Sequence, residues 1–194
     1  MKKKFTVESY LIELNNVLKS IDQDSIKKCL GIIEKKIKKN KKIFICGNGG
    51  SATTANHMVT DLNKMVNILA NKKFRGYSLS SNSGIITAYG NDMSFSDIFS
   101  EQLKSLMDKE DLLICISGSG KSKNIIKATR YANKIGGDTM ALVGYDGGLL
   151  KNISKYCVHV KSFDMQICED IHLMFNHMVM KFLTKGKIIC QKKY

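Results

Sequence analysis

The sequence predicts an α/β fold: a five-stranded parallel sheet covered on both faces by helices, with a helical pair at the N-terminus. Three observations carry this. Short apolar runs alternate with stretches of helical periodicity, the pattern of strands joined by crossover helices. Two glycine-rich loops, Gly47–Ser51 and Ser117–Ser122, each follow an apolar run and open a helix. The chain's 194 residues suffice for one sizeable core, and no repeat, low-complexity tract or linker marks a second unit. Residues 1–194 therefore read as a single domain.

The elements follow in order. Val7 to Lys39 reads as helix: Leu11, Leu14, Val17, Leu18 and Ile21 recur at helical spacing, Asp22 to Ser25 offers a break, and Ile26, Leu30, Ile33 and Ile37 line a second helix. This amphipathic pair, within residues 1–40, must bury its stripe on the main domain or on a partner subunit. Lys42–Cys46 (KIFIC) is the first strand, followed by GNGGS and a helix to about Met65. Phe74–Leu79 is the second strand, with helical segments near Ser83–Tyr89 and Phe95–Met107. Leu112–Ile116 (LLICI) is the third, followed by SGSGKS and a helix to about Ile135. Thr139–Val143 is the fourth, then a glycine-rich turn at Gly144–Gly148, and Tyr156–Val160 is the fifth. Met165–Thr184 closes the chain as a long helix. Such sheets bind ligands at the carboxyl ends of their strands, near a topological switch point, and the glycine loops fall there.

Composition narrows the function classes. Hydrophobic residues make up 43% and charged ones 25%, the balance of a soluble globular protein. No apolar run approaches the roughly 18 residues of a membrane span, and the basic start MKKKFTVESY lacks the apolar stretch of a signal peptide. Cys29, Cys46, Cys115, Cys157, Cys168 and Cys190 are scattered, without CxxC or zinc-ribbon spacing, which predicts free thiols in a reducing cytoplasm. The net charge of +14 comes from lysines clustered at Lys2–Lys4, Lys35–Lys42 and the C-terminal KGKIICQKKY. No aromatic platform or reading helix accompanies it. The charge reads as solvated lysine faces that attract anionic metabolites, with no nucleic-acid or membrane partner.

The loop Gly47-Asn48-Gly49-Gly50-Ser51 permits backbone conformations closed to other residues and close approach of a ligand. A dinucleotide role fails because no acidic residue closes the second strand at Tyr77–Leu79. Ser117-Gly118-Ser119-Gly120-Lys121-Ser122 looks like the tail of a Walker loop, but the glycine required five residues before Gly120 is Cys115. Three hydroxyls and free backbone amides at a helix N-terminus remain, an arrangement that suits a phosphate. Two such loops on one sheet point to a phosphorylated ligand.

Four histidines are present: His57, His159, His172 and His177. His57 and Asp61 stand four apart on the helix after the first loop, hence on one face. Glu169, His172 and His177 follow one another on the last helix. Two helices, each with a carboxylate and a histidine, suit either a four-ligand metal site or an acid/base pair. His159 lies in an apparent strand and reads as a packing residue. For His172 ligation, a supporting role and a surface position all stay open.

With these segments in order, the chain resembles the SIS-domain phosphoheptose isomerases over nearly its whole length. CGNGGSATTANH (Cys46–His57) followed by Asp61 resembles their glycine-rich segment, Gly90-Asn91-Asp92 their second substrate loop, ISGSGKS (Ile116–Ser122) their phosphate loop, and Glu169-Asp170-Ile171-His172 with His177 their terminal catalytic helix. The resemblance implies a flavodoxin-like five-stranded SIS fold, a homotetramer with sites at subunit interfaces, and interconversion of sedoheptulose 7-phosphate with a heptose 7-phosphate for surface polysaccharide. It implies that Asn48, Gly49, Gly50, Ser51, Asn91, Asp92, Ser117, Gly118, Ser119 and Ser122, with Asp61 and Glu169, line the substrate site. It places His57, Asp61, Glu169 and His177 at the zinc positions, with Asp61 and His177 also as catalytic base and acid. The family typically carries Glu at position 61 and Gln at position 169. Asp61 is one methylene shorter, which displaces the base, and Glu169 adds a charge; two histidines and two carboxylates make a site for Zn2+ whose oxygen-rich character also suits manganese or iron. A non-catalytic SIS protein that binds a sugar phosphate or a partner, like those that associate with a replication initiator, is the alternative.

Overall fold

The computed structural model describes residues 5–187. Lys2–Lys4, residues 188–194 of the C-terminal lysine cluster and Cys190 therefore lie outside the described residues. The strands are β1 (Ile43–Gly47), β2 (Gly76–Ser78), β3 (Leu112–Ser117), β4 (Asp138–Val143) and β5 (Tyr156–His159). They form one all-parallel sheet in the order β2-β1-β3-β4-β5, the flavodoxin-like order, with its switch point between β1 and β3. The register pairs Ile43 with Leu112 and Cys46 with Cys115.

Side chains alternate across each strand, so the apolar runs supply two cores. Ile43, Ile45, Leu112, Ile114, Ile116, Met140 and Leu142 face one side. There they meet Cys29 and Ile33 of α2 (Gln23–Lys38), Ala55 and Met58 of α3 (Gly50–Asp61), and Phe175 and Val179 of α9 (Met165–Leu183). Phe44, Cys46, Leu113, Cys115, Ala141 and Val143 face the other side. Phe99 and Leu103 cover them from α6 (Ser100–Leu106) and the residue before it, Ile125, Ala128 and Ala132 from α7 (Lys123–Lys134), and Leu150 from α8 (Gly148–Ile153). Burying each such aliphatic or aromatic side chain contributes roughly 1.5–3 kcal/mol. Among the described residues no helix is long and apolar enough to cross a membrane.

The N-terminal pair splits its duties. α2 docks on the sheet, where buried Lys36 reaches the Asp138 carboxylate at 2.5 Å. α1 (Val7–Lys19) starts at a Thr6–Ser9 capping box and buries no residue fully. Tyr10, Leu14, Val17 and Leu18 pack against the start of α9, and the Tyr10 hydroxyl donates to Asp170 at 2.6 Å. That bond to a carboxylate, ahead of modest desolvation, pushes the Tyr10 phenol up to about 12. Phe5, Val7, Leu11 and Ile12 stay exposed, so Leu11 is not part of the stripe that packs on this subunit.

Several sequence-based boundaries need correction. The helix expected to end near Met65 stops at Asp61, widens into a π-helical turn at Leu62–Val66 and resumes as α4 (Asn67–Ala70). The turn lets Leu62 and Val66 both bury their side chains. β2 is shorter than Phe74–Leu79. The segment near Ser83–Tyr89 is α5 (Ser83–Asp92), so Asn91 and Asp92 end a helix and do not form a loop. Residues 95–99 are turn, leaving only α6 from the stretch Phe95–Met107. α8 was not anticipated: its six residues are too few to show helical periodicity.

Candidate active site

The two glycine loops lie side by side because β1 and β3 are neighbours whose following helices leave in opposite directions. Gly49 caps α3 at φ 54° and ψ −125°, a conformation that favours glycine. Ser80 ties the first loop down, its hydroxyl donating to Gly47 O at 2.9 Å and accepting from Gly47 N at 3.2 Å. Asn48 and buried Asn124 exchange amide hydrogen bonds of 3.0 and 2.8 Å, joining the first loop to the start of α7.

Between the loops lies a cleft of ≈ 170 Å³ lined by Asn48, Ser51, Ser117, Ser119, Ser122 and Glu169, with Ile116, Gly118 and Met165. The N-termini of α3 and α7 both open at it, so backbone amides and two helix dipoles favour an anion there. Ser122 sits at the N-cap of α7 without making the usual capping bond. Ser117 and Ser119 accept from backbone amides of their own loop, Gly120 N at 3.2 Å and Lys121 N at 3.3 Å, which fixes their hydroxyl oxygens. The Lys121 ammonium turns to Asp146 at 2.9 Å. The hydrogen bond from Lys121, joined by the Gly148 amide, holds the Asp146 carboxyl below its usual range.

Glu169 lies over Gly50, at the first turn of α3. Further along the same two helices, His57, Asp61 and His177 bring one ligand atom each to within 4.8 Å of one another. His57 Nε2 is 2.9 Å from Asp61 Oδ2, His177 Nε2 is 4.0 Å from the same oxygen, and the two imidazole nitrogens are 3.4 Å apart. Two imidazoles and one carboxylate are the donor set of a three-ligand zinc site with an open position. Glu169 is not in this group. Glu169 and His177 stand eight residues, about 12 Å of helix, apart, and the Glu169 carboxylate lines the cleft against Gly50.

The other assignments divide. His159 makes the packing contacts expected of it, Nε2 with Tyr145 O at 2.9 Å and Nδ1 with Lys151 at 3.3 Å. His172 is 1% exposed, which excludes the surface position, and neither ring nitrogen makes a hydrogen bond. Burial pushes its imidazole down to about 4, against a weaker opposing influence of the Val143 carbonyl. Asn91 and Asp92 are exposed, bonded to each other at 2.9 Å, and do not line the cleft of their own chain. Sequence reasoning missed Asn124, Met165 and Asn176. Asn176 is 0% exposed and its Nδ2 donates to Asp61 Oδ2 at 3.2 Å. An asparagine one residue before a candidate ligand histidine was the available signal.

Comparison with known proteins agrees with this architecture. The SIS domain family matches residues 9–144. The phosphoheptose isomerase of Helicobacter pylori (strain P12) is 34% identical over 174 residues, covering 89% of this chain and 90% of the relative. That of Aliarcobacter butzleri (strain RM4018) is 31% identical over 183 residues, covering 93% and 96%. Among solved structures, phosphoheptose isomerase from Neisseria gonorrhoeae superposes with a TM-score of 0.85 at 25% identity, covering 92% of this chain and 97% of that one. A phosphoheptose isomerase from Francisella tularensis gives a TM-score of 0.83 at 25% identity, with coverages of 92% and 96%.

Proposed function

Because this chain belongs to the SIS-domain phosphoheptose isomerases, we propose that it interconverts sedoheptulose 7-phosphate and a heptose 7-phosphate, supplying heptose for surface polysaccharide. The observation that carries the reading is the meeting of His57, Asp61 and His177, about two helix turns from a hydroxyl-lined cleft that opens on two helix N-termini. The separation of about 12 Å along α9 is on the scale of an open-chain sugar phosphate.

The assignment of roles follows from the chemistry. Ser117, Ser119 and Ser122, with Ser51 in support, hold the phosphate by hydroxyl and amide hydrogen bonds. Moving a carbonyl between C1 and C2 requires taking a proton from one carbon and delivering it to the other through an enediol. Asp61 Oδ2 is engaged by His57 and Asn176, while Oδ1 accepts no hydrogen bond among the described residues, so Oδ1 is the oxygen that takes the proton. His177 donates to the sugar oxygen. Glu169 accepts from substrate hydroxyls at the cleft end. The donor set of His57, Asp61 and His177 fits Zn2+, which when bound supplies Lewis-acid stabilisation of the developing oxyanion.

His57 and His177 are 44% and 54% exposed, more than a site that excludes water allows, and α1 leaves apolar residues uncovered. Both features support a homotetramer in which neighbouring subunits close the site and bring Asn91 and Asp92 to it. The described cysteines are free thiols, in keeping with a cytoplasmic protein. Incubation with sedoheptulose 7-phosphate and a panel of ketose phosphates, following aldose formation and solvent deuterium uptake at C2, tests the activity; neither signal on any substrate removes the isomerase. Titration of metal-depleted protein with zinc, manganese and iron tests the metal, and activity unchanged throughout takes it out of the reaction.

A further inference from the structure

Among the described residues, three buried side-chain polar atoms lack a hydrogen-bond partner: Nδ1 and Nε2 of His172 and Oδ1 of Asn176. The two residues stand four apart on α9, on one face of the helix. An orphaned buried acceptor costs free energy that an apolar side chain of the same size would not. Asn176 is fully buried and faces α3. Its one polar contact is the hydrogen bond from Nδ2 to Asp61 Oδ2, 3.2 Å. The orientation is dictated by charge, since the amide nitrogen is the only end of the group that can face a carboxylate.

We propose that Asn176 is a positioning residue for Asp61, retained to aim its carboxylate. The proposal rests on the isomerase reading above. An aspartate reaches one methylene less far than a glutamate, and its carboxylate must be held in a single orientation to serve both His57 and the substrate. Asn176 and His57 converge on Oδ2 from α9 and from α3's preceding turn. With Oδ2 held by Asn176, the carboxylate cannot rotate without breaking that bond. Asn176 touches no substrate; it acts only through Asp61.

The test is Asn176→Leu, which removes the donor and the orphaned acceptor together. The expected result is a fall in kcat of about 10- to 100-fold, with KM for sedoheptulose 7-phosphate within about two-fold and a melting temperature equal to or above that of the unmodified protein. Unchanged kcat overturns the proposal, as does a loss that tracks a lowered melting temperature. Asn176→Ala, which cannot overpack, covers the case in which leucine does not fold, and the same selective fall in kcat is expected of it. If the unmodified protein turns over no ketose phosphate, the isomerase reading fails by itself. A crystal structure of either variant still decides the positioning: Asp61 Oδ2 swung away from His57 supports it, and Oδ2 unmoved overturns it.

Discussion

A Cβ added at Gly50 would meet the Glu169 carboxylate at 2.6 Å from Oε1 and 2.8 Å from Oε2. The first turn of α3 and the cleft carboxylate of α9 are therefore in direct contact, and glycine is the residue that allows it. Alanine suits a helix better than glycine by about 1 kcal/mol. Gly50→Ala should keep its thermal stability to within a few degrees while losing about ten-fold or more in turnover, because Glu169 must move. Calorimetry beside steady-state kinetics reads both. Unimpaired turnover would show that the place of Glu169 is immaterial.

Ser122 holds the N-cap position of α7 without bonding to its amides. Removing an N-cap hydroxyl usually costs about 1 kcal/mol, but here stability should barely change. A hydroxyl that bonds a charged phosphate is worth about 1.5 kcal/mol or more, so Ser122→Ala should raise KM about ten-fold. Binding of the same sugar without its phosphate should not respond. Equal weakening of both sugars would move the phosphate elsewhere.

The neutral imidazole of His172 makes the fold acid-sensitive. Its value in the folded protein, about 4, lies below the 6.5 of the unfolded chain, because burial penalises the charged ring. The unfolded state therefore takes up the proton first. This contribution is complete above pH 6.5 and is lost as pH falls toward 4, on the order of 3 kcal/mol over the window. His172→Leu should flatten that decline in urea titrations at successive pH values, without loss of stability at neutral pH. The same slope in both proteins would locate the acid sensitivity in other groups.

Leu11 and Ile12 are 58% and 53% exposed on α1, whose other side packs against the start of α9. In the proposed assembly they bury against a neighbour. The pair Leu11→Gln and Ile12→Gln should yield smaller species in sedimentation velocity and reduced turnover, with the fold of the single subunit retained by circular dichroism. An intact tetramer would place the interface on another face.

What the sequence determined by itself is the α/β fold, the two phosphate-type loops and the residues of the His57–Asp61 helix. Each is a local property: apolar runs such as KIFIC and LLICI need only their own composition to be read as strands, and glycines after a strand declare a turn wherever the strand ends up. His57 and Asp61 share a face by helical geometry alone. Helix ends were less legible. The π-helical turn after Asp61 and the inclusion of Asn91 and Asp92 in α5 depend on which side chains find burial, a tertiary matter. Only the packing of α3 on α9 decided the site itself. It brought His177 to within 3.4 Å of His57, left Glu169 with Gly50 in the cleft, and set buried Asn176 against Asp61. Those pairs are separated by more than a hundred residues, and helical spacing carries no information about which face of one helix meets which face of another.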